Sequence, residues 1–148
     1  MAPPPDAPEK PVVLFLCTGN TARSQMAEAF LKKYAGDRFE VISAGYKPTA
    51  INPYTFKVMA EAGFDLKGQY AKGVKDFLGH VKVRYLIIVC HEAEKTCPKT
   101  FPGIVSRLFW PFEDPAALQG SETEKLQKFR EIRDQIDRRL RSWLAESG

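Results

Sequence analysis

Val12-Val13-Leu14-Phe15-Leu16-Cys17-Thr18-Gly19-Asn20-Thr21-Ala22-Arg23-Ser24 decides how this chain is read. Five apolar residues run into a cysteine. A short polar loop follows, then an arginine, a serine and a segment with helical spacing. A buried strand, a tight loop and a helix start are thus written in one stretch. In an open α/β fold that order of elements puts the thiol at the carboxyl edge of a sheet, where ligands bind.

The residues between Cys17 and Arg23 are Thr18, Gly19, Asn20, Thr21 and Ala22. A loop of this length can curl so that successive backbone N–H groups point at one centre. Such a nest above a helix N-terminus binds tetrahedral oxyanions. Gly19 and Asn20 are the residue types that tolerate the positive φ a curl demands. Arg23 can grip two oxygens of the anion in its planar fork. This positive environment is expected to lower the Cys17 pKa and make the thiolate a nucleophile aimed at the anion's central atom. Ser24 is placed to hydrogen-bond that thiolate. A cysteine taken alone is most simply a small buried hydrophobe; here the strand, the spacing and the helix coincide. The stretch resembles the anion-binding loop of the low-molecular-weight protein tyrosine phosphatases and of the arsenate reductases built on the same fold.

Length and composition fit one soluble domain. The chain has 148 residues, 44% hydrophobic and 27% charged, enough for a real core. Net charge is +4, with no Lys/Arg run to suggest nucleic-acid binding, and a mild positive bias suits an anionic substrate. No stretch approaches a membrane span. Met1 to Pro8 lacks the apolar core of an export signal, so residues 1–10 are expected to be a disordered Pro-rich leader and 11–148 the domain. Three cysteines, an odd number, point to reactive thiols in a reducing cytoplasm rather than to a disulfide framework.

Along the chain, Arg23 to Ala35 reads as a helix with Met26, Ala27, Phe30, Leu31 and Tyr34 inward and Gly36 as its C′ residue. Phe39 to Ser43 is a strand. Asn52-Pro53 caps a second helix, whose expected inner face is Phe56, Met59 and Ala60 and whose stop is Gly63. Residues 64–82 are hard to read, with a short helix expected over Asp76 to His80. Lys82 to Val89 is an apolar strand ending at Cys90, and Ile104 to Trp110 holds another. Ser121 to Glu124 can form a capping box for a final helix reaching about Ala145, with Leu126, Phe129, Ile136 and Leu140 on its apolar face. Ile132 or Arg133, and Trp143 or Leu144, complete that face. The order β-α-β-α-(α)-β-β-α implies an α/β three-layer sandwich around a parallel sheet. The resemblance covers residues 11–145 and implies a four-stranded sheet in the order 2-1-3-4.

Parallel strands place Cys17 and Cys90 at the same sheet edge. Cys97 lies seven residues beyond Cys90. If 91–96 is helical, Cys90 and Cys97 are separated by about 10.5 Å of rise, whereas a disulfide needs Cα atoms within roughly 7 Å. They can bond only if the segment unwinds, and Pro98 forbids helical continuation. Spacing alone leaves open two unremarkable cysteines. The resemblance implies more: Cys17, Cys90 and Cys97 look like the thiols of the three-cysteine arsenate reductases recycled by thioredoxin. The phosphatases usually carry a second cysteine just before the loop arginine, where this chain has Ala22. They also follow their catalytic Asp-Pro with tyrosines, where Asp114-Pro115 precedes Ala116-Ala117-Leu118.

Asp114 is the candidate general acid, biased by Pro115 to an extended conformation at the active edge; Glu113 is the weaker neighbour. His80 and His91 have no metal-ligand spacing and are expected to face solvent. Some relatives hold a potassium ion behind the loop through Asn, Glu, Ser and Asp. Asn20, Glu28 and Ser43 match three of these, and Lys72 stands where the Asp would be, so no metal is expected. The resemblance implies a monomeric enzyme without cofactor that reduces arsenate, with phosphate and sulfate as competing anions and thioredoxin as external reductant. The alternatives are a phosphatase hydrolysing phosphate monoesters through a Cys17 phosphoenzyme and a non-catalytic anion sensor.

Overall fold

The computed structural model describes residues 10–77, 81–96 and 104–147. Most of the expected leader (residues 1–9), His80 and Cys97 lie outside the described residues. Four strands, β1 (Val12–Cys17), β2 (Glu40–Gly45), β3 (Val83–Ile88) and β4 (Ile104–Phe109), form one parallel sheet in the order β2-β1-β3-β4. Val13 to Cys17 are all buried, so both faces of the central strand are covered, as a continuous apolar run requires.

Helix α1 (Arg23–Ala35) has the expected bounds. Gly36 departs from its expected C′ role: it keeps a right-handed φ of −63° and its N–H donates to the Lys32 carbonyl. Helix α2 (Pro53–Glu61) is capped by Asn52, whose side chain accepts from the Tyr54 N–H, and Gly63 ends the turn with φ +88°. Its buried face is Thr55, Val58 and Met59, not Phe56, Met59 and Ala60; Phe56 is 41% exposed. The helix is rotated because its first turn is tied to the loop after β1. Asn52 N–H and Thr55 Oγ1 both donate to the Thr21 carbonyl, at 3.0 and 3.1 Å.

A 3-10 turn covers Val74–Asp76, and residues 78–80 of the short helix expected at 76–80 lie outside the described residues. Helix α3 (His91–Thr96) lies against β1 and β3. Helix α4 (Glu122–Ser147) packs on α1 and α2. Its capping box is formed as expected: Ser121 Oγ accepts from Glu124 N–H and Glu124 Oε1 from Ser121 N–H. Ile132 and Trp143 take the two open positions of its apolar face, and the Trp143 ring meets Phe39, Tyr85 and Trp110. None of the described helices is long and apolar enough to cross a membrane.

Candidate active site

The loop from Cys17 to Ala22 sits at the carboxyl edge of β1, in the centre of the sheet. Its shape follows from where its carbonyls go. Those of Cys17, Thr18, Gly19 and Thr21 accept from the N–H groups of Tyr46, Lys47, Thr49 and Asn52. The Asn20 carbonyl accepts from Gln25 Nε2 at 3.1 Å. With its carbonyls committed outward into the protein, the loop turns its amides the other way. One of them, Asn20 N–H, donates to Cys17 Sγ at 3.1 Å. Asn20 carries the positive φ, +54°, whereas Gly19 has none. Helix α1 begins here without any side-chain cap, leaving its first-turn N–H groups for an anion.

Asn20 also organises the ground beneath the loop. Its Nδ2 donates to Ser24 Oγ (2.8 Å) and Ser43 Oγ (3.0 Å). Its Oδ1 accepts from Lys72 N–H (2.8 Å) and Gln25 Nε2 (2.9 Å). Because Ser24 Oγ already accepts from Asn20, its own proton is free to point at Cys17 Sγ, 2.9 Å away. The expected lowering of the Cys17 pKa is not what this geometry produces. Burial pushes the thiol up, the Ser24 hydroxyl opposes it, nearby Cys90 raises it further, and the Asn20 N–H and Arg23 lower it. The Arg23 guanidinium is tied to the Phe112 carbonyl, to which Nη1 donates at 3.0 Å.

A prediction follows for Ser24→Ala. A hydrogen bond from a hydroxyl to a thiolate is worth about 1.5–3 kcal/mol when charged, so the Cys17 pKa rises further. Alkylation of Cys17 by iodoacetamide should slow by about tenfold or more at neutral pH. The deficit should vanish as pH climbs above the raised pKa, where both proteins hold thiolate. A pH-independent deficit would mean that Ser24 does not set the thiol's ionisation.

Cys90 is fully buried at the carboxyl end of β3, beside β1: Val89 N–H donates to the Leu16 carbonyl, and Thr18 Oγ1 stands 3.7 Å from Cys90 Sγ. Both Cys17 and Cys90 are free thiols. Asp114 is extended (φ −76°, ψ 110°), with Oδ1 accepting from Ala116 N–H and Oδ2 3.9 Å from Arg23 Nη2. Its side chain is 48% exposed at the mouth of the loop, while Glu113 is drawn away into an ion pair with Lys128. His91 is exposed as expected.

Behind the loop, Ser43 Oγ donates to Glu28 Oε1 at 2.5 Å. The Lys72 ammonium lies 3.4 Å from the same oxygen, donates to the Tyr70 carbonyl at 2.7 Å and sits 4.7 Å from the centre of the Tyr70 ring. Burial lowers its pKa and Glu28 raises it. An ammonium group and a carboxylate therefore face each other among Asn20, Glu28, Ser43 and Lys72. Among the described residues no cluster of His, Cys, Asp or Glu could hold a metal ion.

Three parts of this site went unread in the sequence. Gln25 is fully buried, its amide bridging the Asn20 and Tyr70 carbonyls while Gln69 Nε2 donates to its oxygen at 2.7 Å. A glutamine on the inward face of an apolar helix was the available signal. Gln69 and Tyr70 come from the segment that periodicity could not place. Gly45 ends β2 where a Cβ would stand 2.4 Å from the Thr18 carbonyl oxygen and 2.9 Å from Asn20 N, so only glycine lets that strand approach the loop.

The comparisons agree with this architecture. Residues 12–147 match the profile of the family described as low molecular weight phosphotyrosine protein phosphatase. The chain is 41% identical over 141 residues to the Bacillus subtilis (strain 168) arsenate reductase, covering 95% of this chain and 99% of that one. It superposes on the solved structure of an arsenate reductase in the phosphate binding state with a TM-score of 0.73 and 27% identity, covering 92% of this chain and 98% of that one. A Corynebacterium glutamicum thioredoxin-dependent arsenate reductase aligns with a TM-score of 0.69 and 29% identity over 93% of this chain and 60% of that one. With the profile spanning nearly the whole chain and the sheet order and thiol-bearing loop in place, this protein belongs to the low molecular weight phosphotyrosine protein phosphatase family.

Proposed function

We propose that this chain reduces arsenate to arsenite by a three-thiol relay and is recycled by thioredoxin. The observation that carries the reading is a second free thiol, Cys90, fully buried on the strand next to the one that presents Cys17. Phosphate ester hydrolysis has no use for it; reduction does. The similarity to proteins named arsenate reductase supports the substrate, and the Corynebacterium relative supports thioredoxin as the reductant.

The residues take the following roles. The loop amides and Arg23 hold the arsenate oxygens. The Cys17 thiolate attacks arsenic, and Asp114 protonates the departing oxygen, which leaves as water. Cys90 then attacks Cys17 Sγ. The sulfur–arsenic bond breaks with its electron pair going to arsenic, which leaves as arsenite, and a Cys17–Cys90 disulfide remains. Cys97 attacks Cys90 Sγ and releases the Cys17 thiolate. The Cys90–Cys97 disulfide passes to thioredoxin, which returns two electrons and two protons. We place this monomer in a reducing cytoplasm, where such a disulfide is transient.

The test is NADPH consumption in a mixture of arsenate, thioredoxin, thioredoxin reductase and this protein. Turnover is expected. No turnover, with aryl phosphate hydrolysis intact, would leave the phosphatase reading standing instead.

We further propose that Lys72 supplies the positive charge that a potassium ion supplies in some relatives. Its ammonium faces buried Glu28 and a backbone carbonyl, groups that would otherwise suit a cation. Exchanging potassium for sodium at constant ionic strength should therefore leave the arsenate rate and KM unchanged. A potassium-dependent KM would show that Lys72 does not fill that role.

A further inference from the structure

Helix α3 has only six residues, yet it is held to the edge strand β4 at His91 and at Glu94. Arg107 Nη2 lies 3.1 Å from Glu94 Oε2, and Nη1 donates to Glu94 Oε1 at 3.4 Å. Nη2 also donates to the Glu94 backbone carbonyl at 3.3 Å. That last contact is dictated by the sequence. A helical partner for the Glu94 carbonyl would be the N–H of residue 98, and Pro98 has none. Arg107 supplies the donor that proline withholds.

Two residues along the same strand, Phe109 meets the ring of His91 edge-on, with centroids 5.4 Å apart. Positions two apart share a face of a strand, so both contacts come from one side of β4. Cys90, just before the helix, and Ala93, on its inner face, are each fully buried.

We propose that Arg107 is a positioning residue for Cys90: by holding α3 wound, it sets the equilibrium and the speed with which that thiol enters a disulfide. The proposal rests on the relay above in one respect, that the Cys90–Cys97 bond requires α3 to unwind. The couple is a disulfide that takes up two electrons and two protons to give two thiols. Arg107 holds Glu94 of the wound segment in the dithiol form, so removing that hold favours the disulfide.

The experiment equilibrates the Cys17→Ser protein, which retains Cys90 and Cys97, in glutathione buffers of graded oxidised-to-reduced ratio. Glutathione disulfide is the oxidant and is reduced to two glutathiones. The fraction of Cys90–Cys97 disulfide is read by mass spectrometry. Arg107→Gln should raise the equilibrium constant for disulfide formation by about tenfold, lowering the midpoint by about 30 mV for this two-electron couple. Arg107→Lys, which keeps the charge but not the fork, should fall between. A midpoint unchanged or raised in Arg107→Gln overturns the proposal.

A second measurement separates this from the relay itself. In a Cys17→Ser/Cys97→Ser protein, iodoacetamide reaches Cys90 only when α3 opens. Arg107→Gln should speed that alkylation several-fold, and an equal rate overturns the positioning role. If the protein without these Arg107 changes forms no Cys90–Cys97 disulfide in any glutathione buffer, the relay is wrong, and the alkylation rates alone decide the role of Arg107. Should Arg107→Gln fail to fold, Glu94→Gln tests the side-chain part of the same contact, with the same sign in both readouts.

Discussion

Replacing Cys90 by serine is expected to cut arsenate turnover by about a thousandfold or more while aryl phosphate hydrolysis is retained or rises. The two reactions share Cys17, Arg23 and Asp114 up to the covalent intermediate. They part at its resolution. Hydrolysis needs only water at phosphorus. Reduction needs a sulfur nucleophile that takes Cys17 as its disulfide partner and drives an electron pair onto arsenic. A serine oxygen cannot form that bond. Serine is only slightly smaller than cysteine, so the packing loss is modest even at this fully buried site. Cys90 is among the groups that push the Cys17 pKa up. Its removal therefore favours the Cys17 thiolate, and the phosphatase rate below that pKa should not fall. Arsenate turnover that survives in Cys90→Ser would rule out Cys90 as the resolving thiol.

Cys97→Ser is expected to release arsenite once and then stop. The first two steps use Cys17 and Cys90, which sit at the ends of adjacent strands before any rearrangement. The third requires Cys97 to reach Cys90. Helix α3 occupies the residues between them, and a wound segment of that length holds its ends about 10.5 Å apart, beyond the reach of roughly 7 Å for a disulfide. Unwinding costs little because a helix this short is marginal by itself. Without Cys97 the Cys17–Cys90 bond stays sealed in a buried site where thioredoxin cannot attack it. One equivalent of arsenite per protein should appear after a pulse of arsenate, and peptide mapping should find the trapped bond. Continuous turnover at the unmodified rate would make Cys97 a bystander.

The strands, α1, the caps at Asn52 and Ser121 and the loop at Cys17 were legible in the sequence because each rests on local chemistry. Apolar runs bury, side-chain caps bond backbone groups a few residues away, and proline sets the backbone beside Asp114. The choice between Ile132 and Arg133 was left open because both fit the helical period; only contact with the sheet and α1 decides it. The inner face of α2 was misread for the same kind of reason. Hydropathy pointed to Phe56 and Ala60, but hydrogen bonds to the Thr21 carbonyl set the rotation.

The electrostatics of Cys17 were also beyond a local reading. The residue types in the loop promise a depressed pKa, and they do act in that direction. Full burial outweighs them, and Arg23 is held by the Phe112 carbonyl of the loop after β4. Likewise Gly45 looks like an ordinary strand end until the loop is folded against it. By itself the sequence determined which groups could carry chemistry and the edge of the sheet on which they would gather, since composition and spacing act within a few residues. The ionisation of Cys17, the tether on Arg23, the meeting of Lys72 with Glu28 and the grip of Arg107 on α3 were decided only by tertiary structure. Each depends on burial or on contacts between residues far apart in the chain.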